Sequence, residues 1–433
     1  MLSSSEWCIY PISIVYFFQN INIRIVNNPE KTQKFCLTAD DKSSIIEKKG
    51  VFGLKERYIP WFEDVSSHKS ITLGVSANTF FKGGRLVSNF CEVLGIGTHD
   101  GLNDMLRMSG VDPFFITGGG SDFDKLQALT EVLPLWIGHP YVTAIHGLLA
   151  DLLSCRLPLT GETLPHVWTY TAEQLATENL TVGDLLTRYG YDHVLCQDDL
   201  PTSVSSSGLS TMRVWDATQS ISPHHPQFTL SPCDKSLTPQ QAWADAERAL
   251  RSALDAQTAL GVREIWVDMR GCDTYQRPHP YTAGQACVKI MQGMDASPEE
   301  KDVILAQCMR VLGQCAKERG VHLVLHGVSP QVYQTMTTYL IGCGGDASMT
   351  CVAYDPQVAV FLARQGASVM FGVDLCATRE QVFRLLDAVA SGMPLGCLAG
   401  LYLPVSGLLD VVLVKRIYAW VNEWITHMRD MYI

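Results

Sequence analysis

The amino-acid sequence predicts an α/β fold, a (β/α)8 barrel with helical insertions, and leaves a doubly wound sheet as the alternative. Three observations carry this. Short, uninterrupted apolar runs recur along the chain and read as strands buried on both faces, as in a parallel sheet. Amphipathic segments with helix caps separate them. No Gly-x-Gly-x-x-Gly follows any of the runs, which weighs against a nucleotide site.

Taken in order, residues 1–65 read as an irregular N-terminal extension and residues 66–433 as one barrel domain with insertions. The apolar run 7–18 contains Pro11 and follows Glu6. It is too short for a bilayer of ~30 Å, and it lacks the positive flank of a secretory signal. The strand-like runs are "SITLGV" (70–75), "DHVLCQ" (192–197), "REIWVDM" (263–269), "VHLVLHG" (321–327), "TCVAYD" (350–355), "ASVMFGVD" (367–374) and "CLAGLYLP" (397–404). Helical spacing covers residues 238–261, closed by Gly261, and 297–320, opened by the Ser297/Glu300 capping box and closed by Gly320. A shorter helical pattern covers 378–392. The Ser-rich stretch 201–210 reads as a loop. The glycine-rich "ITGGGSD" (116–122) lacks the Lys-Ser/Thr of a phosphate-binding loop.

Composition narrows the function. The chain of 433 residues is 47% apolar and 18% charged, with a net charge of −11 and no basic cluster, so neither disorder nor nucleic-acid binding fits. The 14 cysteines form no Cys-x-x-Cys pair, which points to reduced, buried thiols and a cytoplasmic protein rather than a disulfide framework or a cysteine metal site. No membrane span is expected, and the oligomeric state is open, a homo-oligomer included.

Barrel chemistry sits at the C-terminal ends of strands. Asp198 and Asp199 end one apolar run and His326 ends another; Asp268, Asp355 and Asp374 stand at similar places. An Asp there also serves as a turn residue or helix N-cap. His322 shares the strand parity of His326 but lies ~13 Å away along the strand, too far to share an ion with it. No local pattern supports a Ser/His/Asp or Cys/His nucleophile.

Residues 105–141, "MLRMSGV…ITGGGSDFDKLQALTEVLPLWIGHPY", resemble the uronate isomerases in Arg107, Gly110, Val111, Ile116, Thr117, Gly118, Asp122, Lys125, Pro134, Ile137, Gly138 and Pro140. His146 follows at the family's spacing. Asp198 and Asp199 are similar to its "TTDDP" segment, Asp234 and Lys235 to its "RPDKA" segment, and Glu318, Arg319, Gly320 and His326 to its "ERGW…LHIGA" segment. The resemblance implies an amidohydrolase-type barrel that interconverts hexuronates such as glucuronate and fructuronate by proton transfer between adjacent carbons. It implies Asp198, Asp199 and His326 in acid–base or ligand roles, and Arg107 and His146 near a small hexuronate substrate.

The departures matter as much. The family carries His-x-His on its first strand, where residues i and i+2 lie ~6.6 Å apart on one face and reach one ion. This sequence contains no His-x-His; Gly74 and Ser76 stand at the matching positions. Pro404 stands where the family's "TDSRSF" has its ligand Asp, and Gly372-Val373-Asp374-Leu375 replaces its "GSGWW". The expectation is at most a weakly held divalent metal such as zinc. Two readings remain: a hexuronate isomerase with a degenerate metal site, or an inactive barrel that binds a sugar acid or a protein partner. The family's spacing implies that Gly74 ends the first strand beside His326, while the alternating buried strands and capped helices predict Asp199, Asp268, His326, Asp355 and Asp374 on one face.

Overall fold

The structure, a computed structural model, describes residues 70–73, 81–82, 85–86, 89–178, 182–191, 193–196, 210–225, 228, 237–342, 347–403, 405 and 407–432. Strand β1 (Ser70–Leu73) is followed by a two-stranded ribbon, β2 (Phe81–Lys82) and β3 (Arg85–Leu86). Then come β4 (His193–Cys196), β5 (Ser210–Asp216), β6 (Val262–Asp268), β7 (His322–His326), β8 (Met349–Ala353), β9 (Ser368–Gly372) and β10 (Leu398–Tyr402). Leaving out the ribbon, these strands form one eight-stranded sheet in chain order, and every pairing in it is parallel.

The sheet curls into a barrel. Strands three apart in a flat sheet are separated by ~14 Å. Yet the rings of His326 on β7 and Tyr402 on β10 have centroids 5.0 Å apart. The bore between them is filled by Leu195, Val214, Trp266, Val324, Val352, Met370 and Tyr402, one residue from each of β4 to β10. Each buried aliphatic among them contributes roughly 1.5–3 kcal/mol. The alternate residues, such as Ile265, Val267, Leu323, Leu325, Val369 and Phe371, join a separate core against the outer helices. Burial on both faces is why the strands lack polar alternation in sequence.

The expected helices form with their caps: Pro239–Ala259 behind Thr238, Pro298–Arg319 between Ser297 and Gly320, and Arg379–Gly392 behind Thr378. Strand β5 was not expected. Its sequence, "STMRVWD", interrupts the apolar run with Arg213 and begins at Ser210, the last residue of the stretch read as a loop. It is a strand because it fills the gap between β4 and β6 and sends Val214 into the bore. The 25-residue helix Leu408–Tyr432 follows β10 and packs on the helices Arg379–Gly392 and Pro140–Gly147.

Toward the N-terminal ends of the strands the bore is polar. His322 shares hydrogen bonds with the hydroxyls of Ser348 and Thr350, each at 2.8 Å, and Thr350 donates to Ser368 at 3.2 Å. Glu264, the register partner of His322, is buried and accepts a bond from Trp266 Nε1 at 3.3 Å. Burial pushes its carboxyl up to about 7. The folded chain therefore keeps a proton that the unfolded chain releases near 4.5, and stability is lost as pH rises from there through about 7. Glu264→Gln should remove this loss, gaining on the order of 3 kcal/mol on the wild type between pH 4.5 and 8. Urea unfolding across that range checks it; a constant difference between the two proteins would contradict the assignment.

Candidate functional site at the C-terminal mouth of the barrel

Parallel pairing brings the C-terminal ends of the strands to one face. Asp268 and His326 are the last residues of β6 and β7 and are register partners. Asp355 and Asp374 each follow a strand end by two residues, after β8 and β9. Asp355 caps the helix Pro356–Arg364 by accepting from the N–H groups of Gln357 (2.7 Å) and Val358 (3.0 Å). Asp374 accepts from the Cys376 N–H at 2.8 Å. These two thus shape turns. Asp198, Asp199, Gly74, Ser76, Pro404, Asp234 and Lys235 lie outside the described residues; β1 ends at Leu73 and β4 at Cys196.

His326 is the feature that stands apart. Only 4% of it is exposed, and neither ring nitrogen has a hydrogen-bond partner among the described residues. Its ring packs against Trp266 (5.5 Å) and edge-on to Tyr402 (5.0 Å). Burial lowers its pKa to about 4, with Asp268 opposing and Arg270 reinforcing the shift, so the imidazole is neutral at ordinary pH. A buried donor or acceptor left unbonded costs about 1–3 kcal/mol, and native sites that carry that cost are commonly ligand or catalytic sites.

Around it lie residues that sequence reasoning did not nominate. Arg270 grips Asp268 through Nε, at 2.9 and 2.8 Å from the two carboxylate oxygens, and through Nη2. Its stem crosses Gly327, whose absent Cβ would lie 2.4 Å from Arg270 Cγ; Gly327 also has φ +68. The Tyr354 ring lies equally close over Gly372 and edge-on to Tyr402, with centroids 5.6 Å apart. The partial signal was Asp268-x-Arg270 at a strand end, with Gly327 directly after β7 and Gly372 closing β9.

The structure places the other nominated residues elsewhere. Arg107 lies on the helix Asp100–Met108, its half-exposed guanidinium 2.7 Å from Asp104. His146 contacts the Val142 carbonyl through Nδ1 (2.8 Å) and accepts from the Leu159 N–H at Nε2 (3.2 Å), so in this conformation neither nitrogen is open to a ligand. A histidine outside the forecast does reach the barrel end. His99, wholly buried, uses Nδ1 to accept from the Leu102 N–H and Nε2 to bond Asp410, at 3.0 Å, on the helix after β10.

A divalent ion needs several donors converging on one point. The sequence has no His-x-His, and among the described residues no three His, Cys, Asp or Glu side chains converge. Beside His326, both oxygens of Asp268 are already held by Arg270. The described residues do not fit such an ion.

A curled parallel sheet with its aromatic and ionisable side chains gathered at the strand C-termini is the architecture of the (β/α)8 barrel enzymes. Within that class the chain belongs to the glucuronate isomerase family, which matches residues 85–363. It is similar to the uronate isomerase of Bacillus licheniformis, 26% identical over 257 residues, or 55% of this chain and 52% of that one. It is also similar to that of Brachyspira hyodysenteriae, 31% identical over 26% of this chain and 24% of the relative. The chain thus spans about half or less of the length of these curated relatives. Among solved structures, a uronate isomerase from Thermotoga maritima superposes with a TM-score of 0.66 at 16% identity, over 86% of this chain and 90% of that one. A glucuronate isomerase from Caulobacter crescentus gives 0.65 at 12% identity, over 92% and 91%. These likenesses show the barrel fold. No helix among the described residues is long and apolar enough to cross a membrane.

The two bore histidines carry a pH signature. Burial lowers both His322 and His326 to about 4, whereas unfolded imidazoles take up protons near 6.5. The unfolded chain then holds more protons between those values, and stability falls as pH drops from about 6.5 to 4. Replacing His326 with Asn should flatten the slope of unfolding free energy against pH by about one proton in that window. An unchanged slope, measured by urea titration at half-unit pH steps, would show that His326 titrates normally.

Proposed function

We propose that this protein binds a hexuronate at the mouth of its barrel and retains at most a slow aldose–ketose isomerisation. The observation that carries this reading is His326, a neutral, buried imidazole with both nitrogens unbonded at the strand C-termini of a uronate isomerase family barrel. Tyr354, 42% exposed at the mouth and edge-on to Tyr402, gives aromatic surface for the apolar face of a sugar ring. Isomerisation moves a proton between adjacent carbons and needs a group to shuttle it. His326 is that group, with Asp198 or Asp199 as its partner in the exchange.

Two physical facts set the rate low. An imidazole with a pKa near 4 is a poor base at neutral pH, because the proton-transfer driving force falls with its pKa. The donor set also does not fit the ion that would polarise the carbonyl in a complete family member. The second reading, a barrel that binds a sugar acid without turning it over, draws on the same missing ligands.

Purified protein should bind glucuronate or galacturonate by calorimetry, contain zinc well below one ion per chain, and isomerise glucuronate at least 100-fold below an ordinary rate of about 10 per second. His326→Ala should abolish any turnover. A tightly held metal ion in every chain together with an ordinary rate would overturn the degenerate-site reading. Binding without detectable turnover would select the second.

A further inference from the structure

The proposed function leaves open what holds the acid group of a sugar acid. We infer that Arg270 is the carboxylate anchor of the mouth, and that the ligand's carboxylate takes the guanidinium from Asp268. The inference rests on the hexuronate reading above.

Four observations converge on Arg270. Its side chain is 48% exposed, at the strand ends rather than on an outer helix. Its stem lies across Gly327, the residue after His326, where any other residue would collide with it and would also be strained at φ +68. The charge of its guanidinium reaches the His326 imidazole, as does that of Asp268. And of its guanidinium nitrogens only Nε and Nη2 are engaged by Asp268, leaving Nη1 without a bond among the described residues. A planar guanidinium presents paired donors that match a carboxylate edge.

Two other arginines are already engaged. Arg107 pairs with Asp104 on an exposed helix. Arg416 lies over the Trp420 ring and donates to the Leu375 carbonyl at 2.6 Å.

The magnitude of the existing pair decides whether exchange is feasible. Asp268 is 23% exposed and Arg270 about half exposed. Ion pairs this open to water hold together by about 1 kcal/mol or less. A ligand carboxylate held at the mouth by ring stacking therefore displaces Asp268 at little cost. Asp268 acts as a resident competitor, occupying the anion position until an acid of the right shape arrives.

The test compares glucuronate with glucuronamide, its uncharged counterpart, by calorimetry on full-length wild type, Arg270→Gln, Arg270→Lys and Asp268→Asn, with urea midpoints to confirm folding. Arg270→Gln should weaken glucuronate roughly 10- to 100-fold and leave glucuronamide unchanged. Arg270→Lys, which keeps the charge but loses the fork, should fall between, and it serves if the Gln variant fails to fold. Asp268→Asn should bind glucuronate several-fold tighter, because it removes the competitor; a merely structural ion pair would instead make both partners' variants weaker alike. Wild type that binds glucuronate with the same affinity as Arg270→Gln would overturn this assignment alone. Wild type that binds neither compound would overturn the hexuronate reading and this assignment with it.

Discussion

Side chains from seven consecutive strands meet in one bore, and that convergence decides where Asp268 and His326 stand at the mouth. Leu195, Val214, Trp266, Val324, Val352, Met370 and Tyr402 fill it from β4 through β10. Because side chains alternate along a strand, fixing one inward residue fixes those two places away. Trp266 inward sets Glu264 and Asp268 inward; Val324 inward sets His322 and His326. The polar layers above and below the apolar one follow from the packing of the middle layer. A one-residue slip in any strand would turn its inward set outward.

His322 and His326 form an internal control. They share a strand, a parity and a direction of pKa shift from the same cause, burial. His322 satisfies both nitrogens with the hydroxyls of Ser348 and Thr350. His326 satisfies neither among the described residues. The chain can evidently surround a bore histidine with hydroxyls where it serves the fold, as it does at the N-terminal end. At the mouth, aromatic rings surround the other, and no described side chain bonds its nitrogens.

The barrel was legible because its strands are apolar on both faces and its long helices carry caps, two signals set by local chemistry. Strand β5 was not, because "STMRVWD" owes its extended form to neighbours on both sides rather than to its own pattern. At the site, His326 could be read from its place at the end of an apolar run. Arg270 and Tyr354 could not, since they belong to the mouth only through the conformation of the loops after β6 and β8 and the two glycines beneath them. Arg107 illustrates the reverse. It sits in a family-like motif, yet Asp104 three residues earlier already marked a helix-surface pair.

The electrostatics of the mouth bear on what a barrel of this kind can still do. A divalent ion supplies two things at one point, a positive charge that holds anionic oxygen and a Lewis acid that polarises a carbonyl. Arg270 supplies the first by hydrogen bonding in a fixed plane, and its charge is permanent. It does so without several converging carboxylates or imidazoles, which matches a donor set in which His326 stands beside a carboxylate already paired. A guanidinium stabilises developing charge on oxygen only where that oxygen comes to lie in its fork, and here the fork is taken by a carboxylate, from Asp268 or from a ligand. On the hexuronate reading proposed above, recognition of the acid through Arg270 would outlast a loss of metal ligands more readily than activation of the carbonyl would.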